Sequence, residues 1–404
     1  MTAESAREFE ALETQARTLM GVFAKAGYEA VAPAILQPAE IFLDVVGEDL
    51  RNRTYVFADP EGAELCLRPD LTVPTCRLHW ERHGRADAKA RYCYNGPAFR
   101  FQPTGTIATR PREFRQCGVE NFADPQREAA DVAILKVIIE GLKAVGLKDY
   151  KIRIGDIGIF QAMLRSLDIS DTARARLQAK FWRPEAFRRE LAQLSTRPAA
   201  AIDGLPRALV DAIDPADPAG AEQAVVRYLA DNSIELIGLR TAREIAASLM
   251  ETVATARSAP LDKETATLIA SFLGVSAPAR AAGARLKDLL VGRGINLGAA
   301  IETYRNRLQL MTDADINCAE ITFEADFGRN IEYYTGFVFE IVSPTLGPVT
   351  PVAGGGRYDR LMRAIGAGND VPAVGGSIHT ERLLAAVSDR PIADSTARSS
   401  GARP

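Results

Sequence analysis

The chain has 404 residues, 47% of them apolar, enough to bury a large core and to predict two domains. A formal net charge of −3 and a pI near 5.9 give no global attraction for nucleic acid. The N-terminus carries acidic residues where a secretory signal needs a basic start, and no run of about 18 apolar residues exists, so neither export nor a membrane span is predicted and the chain reads as cytoplasmic.

Phe9, Leu12, Ala16, Leu19, Met20 and Phe23 recur at helical spacing, with Gly27 as a stop. Tyr28–Leu36 reads as a strand, and Pro33 within it implies an edge or interface position. Thr54–Phe57 and Glu64–Leu67 flank Asp59-Pro60-Glu61-Gly62 as a hairpin. The run Arg91-Tyr92-Cys93-Tyr94 and the run Phe114–Phe122 are the next strands. Leu135, Ile138, Ile139 and Leu142 then mark a helix closed by Gly146, and Tyr150, Ile152 and Ile154 alternate as a strand. From 160 to 313 the texture is helical, rich in Ala and Arg and broken by prolines, which predicts an inserted helical domain. Strands return at Ala319–Phe323, Tyr333–Val342 and Pro351–Gly354, and a last helix covers Glu381–Val387. The predicted organisation is a discontinuous α+β domain over 1–159 and 314–390, an insert over 160–313, and a disordered tail over 391–404. Few residues follow Arg382, too few for a further domain.

Cys66, Cys76, Cys93, Cys117 and Cys318 are scattered with no C-x-x-C spacing, and read as reduced core thiols. His79, His83 and His379 cannot form an H-E-x-x-H site, so no metal or other cofactor is predicted. Gly292-Arg-Gly-Ile-Asn-Leu-Gly298 imitates a dinucleotide loop, but its third glycine is one residue late and its context is helical. The Arg-rich run 183–189 reads as a solvated helix face.

The segment Ala90–Phe122 carries the chemistry. Arg100 follows Phe99 at the end of one strand, and Arg110-Pro-Arg-Glu-Phe114 enters the next. Such a hairpin can aim an arginine fork at a phosphate or carboxylate and lay Phe114 under a flat ring. Alone, it could equally be a surface hairpin with an ion-paired arginine. The glycine-led segment Gly375–Arg382 supplies a matching second half.

In that order, these segments resemble the second and third signature motifs of class II aminoacyl-tRNA synthetases, and Pro33 fits their dimer-forming first motif. The resemblance narrows to the histidyl branch. Phe327-Gly-Arg-Asn-Ile-Glu-Tyr-Tyr-Thr-Gly336 is similar to the histidine-specific signature, Gly354-Gly-Gly-Arg-Tyr-Asp359 to that family's glycine-rich turn, and Leu67-Arg-Pro-Asp-Leu-Thr72 to its Leu-Arg-Pro-Glu/Asp-x-Thr. It implies a class II synthetase-like antiparallel sheet flanked by helices. It also implies a histidine pocket in which Asp70, Thr72 and Gln116 accept from the ammonium and Glu120 from an imidazole N–H. Tyr333 and Tyr334 would serve the other ring nitrogen, and Arg329 with Arg100 the carboxylate.

On the nucleotide side the chain departs from the branch. Gln102 replaces a glutamate, the loop from Arg100 to Phe114 is longer, and Asn330 and Glu332 replace a glycine and an aspartate. His379 stands where a glycine lets ATP approach. Arg100, Phe114, His379 and Arg382 therefore read as a vestigial nucleotide site, with no catalytic residue. The combination resembles the regulatory subunits of ATP phosphoribosyltransferase. Such subunits are expected to dimerise, join the short catalytic subunit in a hetero-oligomer and take free L-histidine as effector. Two other readings stay open: a histidine-activating enzyme such as a histidyl-tRNA synthetase, and a catalytically dead paralogue with a different partner.

Overall fold

The computed structural model describes residues 5–45, 50–102, 111–196, 202–234, 236, 241–257, 259–291, 293–327 and 332–388. Two compact units emerge: the residues up to Phe160 together with those from Val275 onward, and the stretch Gln161–Gly274 between them.

The first unit opens with helix α1 (Ala6–Lys25), which starts at a reciprocal capping box between Ser5 and Glu8. Its Leu12, Ala16, Leu19 and Phe23 are buried at the spacing read from the sequence. The predicted strand over Tyr28–Leu36 is shorter than expected. Only β1 (Glu29–Ala30) and β2 (Leu36–Pro38) pair, because Pro33 has no N–H to donate and interrupts the run. Helix α2 (Ala39–Val45) follows, and β3 (Tyr55–Ala58) and β4 (Glu64–Leu67) form the expected hairpin. These strands make a small sheet in the order β2-β4-β3. Helix α3 (Thr72–His83) has no counterpart in the sequence reading, since Pro74, Trp80 and two histidines blur its apolar face.

A nine-stranded sheet among the described residues carries the unit, in the order β1-β5-β6-β12-β11-β10-β7-β9-β8. Its strands are β5 (Ala90–Phe99), β6 (Glu113–Phe122), β7 (Lys151–Asp156), β8 (Ser276–Pro278), β9 (Ile321–Glu324), β10 (Phe337–Val342), β11 (Pro351–Arg357) and β12 (Ala373–His379). The run from β5 to β7 is antiparallel throughout, as expected, while β1/β5 and β7/β9 are parallel and make the sheet mixed. Helix α4 (Arg127–Val145) buries Ile134, Leu135, Ile138 and Leu142. Each fully buried side chain of this size contributes roughly 1.5–3 kcal/mol.

Helix α5 (Ile157–Ser166) leads into the second unit. There α6 (Asp171–Lys180), α7 (Pro184–Thr196), α8 (Arg207–Ala212), α9 (Pro218–Asp231), α10 (Ala242–Ala256) and α11 (Lys263–Leu273) follow one another. Leu209, Ile213, Ala221, Val225, Ala246 and Val253 form an apolar core within it, and Arg176 holds Glu190 through two N–H groups at 2.5 and 3.1 Å.

The helical unit closes at Gly274, earlier than the expected boundary at 313. Helices α12 (Ala279–Val291) and α13 (Gly298–Asp313) pack instead on the first unit, where Arg307 of α13 meets Asp131 of α4. Their helical texture looks like the insert's, and sequence alone does not show which core takes them. Helix α14 (Thr380–Val387) ends the described chain, so the tail expected over 391–404 lies outside the described residues.

Candidate functional site

A small polar cleft, partly open to solvent, lies over the centre of the sheet. It draws Asp70 from the turn before α3, Thr72 from the first turn of α3, and Arg100 from the end of β5. Gln116 comes from β6, Tyr333 and Tyr334 from the turn entering β10, and Tyr358 from just beyond β11. Six of the eight residues expected to contact histidine thus share one cavity. Glu120 lies behind its wall, and Arg329 lies outside the described residues. The strand expected from Tyr333 begins only at Phe337, which leaves the tyrosine pair in a turn where both rings can face the cleft.

The turn bearing Asp70 is fixed by Arg68, a buried side chain that donates to Pro97 O at 2.8 Å and to Pro33 O at 2.5 Å. Asp70 is itself buried. It accepts from Val73 N at 3.2 Å and lies 3.5 Å from the Tyr333 hydroxyl. Burial raises its carboxyl pKa, and the nearby Arg100 guanidinium offsets part of that rise. Gln116 is buried beside Ser377, and its Oε1 has no hydrogen-bond partner among the described residues. An acceptor left so at the edge of a cleft suits an ammonium group.

Glu120 is fully buried and, among the described residues, meets no cation at hydrogen-bond distance. Oε1 accepts from Thr72 Oγ1 at 2.8 Å and from the Tyr94 hydroxyl at 3.0 Å, and Oε2 accepts from the Tyr358 hydroxyl. Burial dominates over these three donors and pushes its carboxyl up to about 7. Room for the group comes from across the ladder. Glu120 pairs with Gly375, where a Cβ would stand 1.5 Å from Oε2. Thr72 and Tyr358 both line the cleft and both hold Glu120, so a ligand there touches the hydroxyl shell of this carboxylate.

The ring-stacking position has a different character. Phe114 is 7% exposed and packs with Leu71, Tyr94 and Ala98. The Arg100 guanidinium stands 5.0 Å from its ring centroid, in cation–π range, and the buried His379 ring stands 5.4 Å from it. Arg100 also donates to Pro69 O at 2.8 Å, and Arg382 to Pro351 O at 2.9 Å. The four residues read as a vestigial nucleotide site thus engage the chain's own groups. Gln102 itself is buried, whereas the longer loop and Asn330 lie outside the described residues.

Tyr94 and Tyr358, which complete the Glu120 shell, carried no assigned role in the sequence reading. Tyr358 stood in the quoted glycine-rich turn, but only strand pairing shows that β11 brings it towards β6. Among the described residues no group of three or more His, Cys, Asp or Glu could hold a metal ion, and no helix is long and apolar enough to cross a membrane.

The mixed sheet with its antiparallel core, the three ordered motifs and the central cleft define a class II aminoacyl-tRNA synthetase-like fold of the histidyl type. Two solved structures share it at 19% and 17% identity. One is an ATP phosphoribosyltransferase regulatory subunit/histidyl-tRNA synthetase from Bacillus halodurans, with a TM-score of 0.68 over 96% of this chain and 82% of that one. The other is a histidyl-tRNA synthetase from Nostoc, with a TM-score of 0.62 over 96% and 74%. The histidyl-tRNA synthetase family model matches residues 4–214 and 241–383. ATP phosphoribosyltransferase regulatory subunits from Allorhizobium ampelinum and Mesorhizobium japonicum are 33% and 34% identical, over 91% and 92% of this chain and 96% of each relative. The chain belongs to the histidyl-tRNA synthetase family and, within it, to the ATP phosphoribosyltransferase regulatory subunits.

Proposed function

We propose that this chain is a non-catalytic regulatory subunit that binds free L-histidine in the central cleft. Through that cleft it conveys feedback inhibition to the short catalytic subunit of ATP phosphoribosyltransferase, which it also activates, in the first step of histidine biosynthesis. One contrast carries the reading. The amino-acid side of the cleft keeps two buried carboxylates, a Gln116 acceptor unpartnered among the described residues, and the tyrosine pair. On the nucleotide side, Arg100 and His379 close on a buried Phe114. A site whose polar groups match both imidazole nitrogens rejects other amino acids by leaving its own groups unpaired. The subunit works as a dimer within a cytoplasmic hetero-oligomer. Histidine inhibits because it binds one state of that assembly more tightly than another, and a coupling of roughly 1–3 kcal/mol suffices.

Isothermal titration of the purified chain tests this directly. Saturable heat with L-histidine and none with ATP is the expected result, while binding of ATP alone refutes it. From native cells the short catalytic subunit should be the main co-purifying chain. Tyr333→Phe removes the hydroxyl 3.5 Å from Asp70, and should weaken histidine binding by about 1 kcal/mol without loss of stability. Unaltered feedback in the reconstituted complex would count against that role.

The second reading, a histidine-activating enzyme, draws on the match to the histidyl-tRNA synthetase model and on the retained Arg100 and Arg382. Robust ATP–pyrophosphate exchange with histidine would favour it.

A further inference from the structure

We propose that Asp131 is a positioning residue for the cleft: by gripping Arg357 and Arg307 at once, its carboxylate fixes the turn from which Tyr358 reaches Glu120. Asp131 lies in the first turns of α4 and is fully buried. Its Oδ1 accepts from Arg357 Nη2 at 2.6 Å and Nε at 2.9 Å, and its Oδ2 from Arg307 Nε at 2.9 Å. Arg307 continues to Asp156 Oδ2 at 2.7 Å, and Arg357 to Asp359 Oδ1 at 2.9 Å and to the Arg127 carbonyl at 2.7 Å. The Arg127 side chain closes the set by pairing with Asp359. Three arginines thus face three aspartates, which leaves the cluster neutral.

Such a cluster is not explained by stability alone. Taking charges out of water costs about as much as their mutual attraction returns, and a well-packed apolar replacement is often as stable. What it supplies is geometry. Arg357 and Asp359 flank Tyr358, so both neighbours of that residue are held by buried charge pairs while its hydroxyl bonds Glu120. Their backbones also pin the other wall of the cleft. Thr335 N donates to the Arg357 carbonyl at 2.7 Å, and Asp359 N donates to Thr335 Oγ1 at 3.0 Å. Thr335 directly follows the Tyr333/Tyr334 pair. One aspartate on the helix side of the sheet thereby sets two tyrosine-bearing turns on the cleft side.

The experiment has one arm that needs no ligand and one that does, and only the second rests on the histidine reading. In the ligand-free arm, Glu120 ionisation is followed by infrared difference spectroscopy, with Glu120→Gln assigning the band. Tyr358 stabilises the Glu120 carboxylate, so its displacement should move the titration to higher pH. Asp131→Asn keeps the side-chain shape and should raise the Glu120 midpoint in the same direction as Tyr358→Phe. Should Asp131→Asn fail to fold, Arg307→Lys, which keeps the charge but loses the Nε contact, should give the same shift. An unmoved midpoint in the folded variant overturns the proposal.

The ligand arm is a double-mutant cycle on histidine affinity. Asp131→Asn is expected to weaken binding about tenfold in the wild-type background and less than about twofold in Tyr358→Phe. Equal losses in both backgrounds mean that Asp131 acts generally on stability, and also overturn the proposal. A wild-type chain that binds no histidine refutes the functional reading while leaving the first arm intact.

Discussion

Glu120→Ala should lower the affinity for L-histidine by roughly five- to a hundredfold. The substitution removes the acceptor on which the Thr72, Tyr94 and Tyr358 hydroxyls converge, two of them on residues that line the cleft. Loss of this acceptor destabilises the free and bound chain alike. The imidazole N–H assigned to Glu120, by contrast, is left unpaired only in the complex, at about 1–3 kcal/mol, or roughly five- to a hundredfold in affinity. Calorimetry reads the affinity and circular dichroism the fold. A folded variant that binds histidine as before excludes Glu120 from recognition.

The same carboxylate makes stability depend on pH, with a sign fixed by its displacement. Its folded-state value lies near 7, against 4.5 for a free glutamate. A raised value means that the folded chain holds the proton more tightly than the unfolded chain does. The resulting stabilisation is complete below about pH 4.5 and is lost as the pH rises through 7. Its size is on the order of 3 kcal/mol. Glu120→Gln abolishes this titration, so the variant's stability relative to wild type should climb between pH 5 and pH 8. Parallel denaturation midpoints across that range would show that burial does not hold the group protonated.

The second large effect concerns backbone rather than charge. Gly355→Ala should destabilise the chain by at least about 3 kcal/mol, or prevent folding. A Cβ at Gly355 would stand 2.1 Å from the Gly375 carbonyl oxygen and 2.6 Å from the Gly376 Cα. These are main-chain atoms of β12, so no side chain can swing aside, and the β11/β12 ladder must part instead. That ladder carries both Gly375, which makes room for Glu120, and the strand leading into Tyr358. Gly21→Ala is the control. It lies in α1 with nothing within 4 Å of its Cβ position, and should stabilise by about 0.5–1 kcal/mol through lower chain entropy. Equal urea midpoints for the two variants would contradict the steric argument.

Much of this could be read from the residues. Helix α1, the β3/β4 hairpin, and strands β5 and β6 follow from periodicity and turn residues that act within a few positions of one another. The motifs around Arg100, Asp70, Tyr333 and Gly375 gave the fold class, and they named six residues that line a single cavity. What escaped depends on partners far along the chain. Helix α3 draws its stability from burying Val73, Cys76 and His79 rather than from a clean amphipathic stripe. Helices α12 and α13 share the helical texture of the insert, and only their tertiary packing on the first unit, with the buried Arg307–Asp131 pair tying α13 to α4, shows which core claims them.

The sequence by itself determined the kind of fold and the identity of the groups that converge, because local patterns and motif chemistry are written in neighbouring residues. Tertiary structure alone decided that Glu120 sits behind three hydroxyls, that Arg100 and His379 close on Phe114, and that Asp131 grips Arg357 beside Tyr358. Burial and pairing across more than two hundred positions set a carboxylate's proton affinity and an aromatic ring's availability, and neither is encoded within any short stretch of the chain.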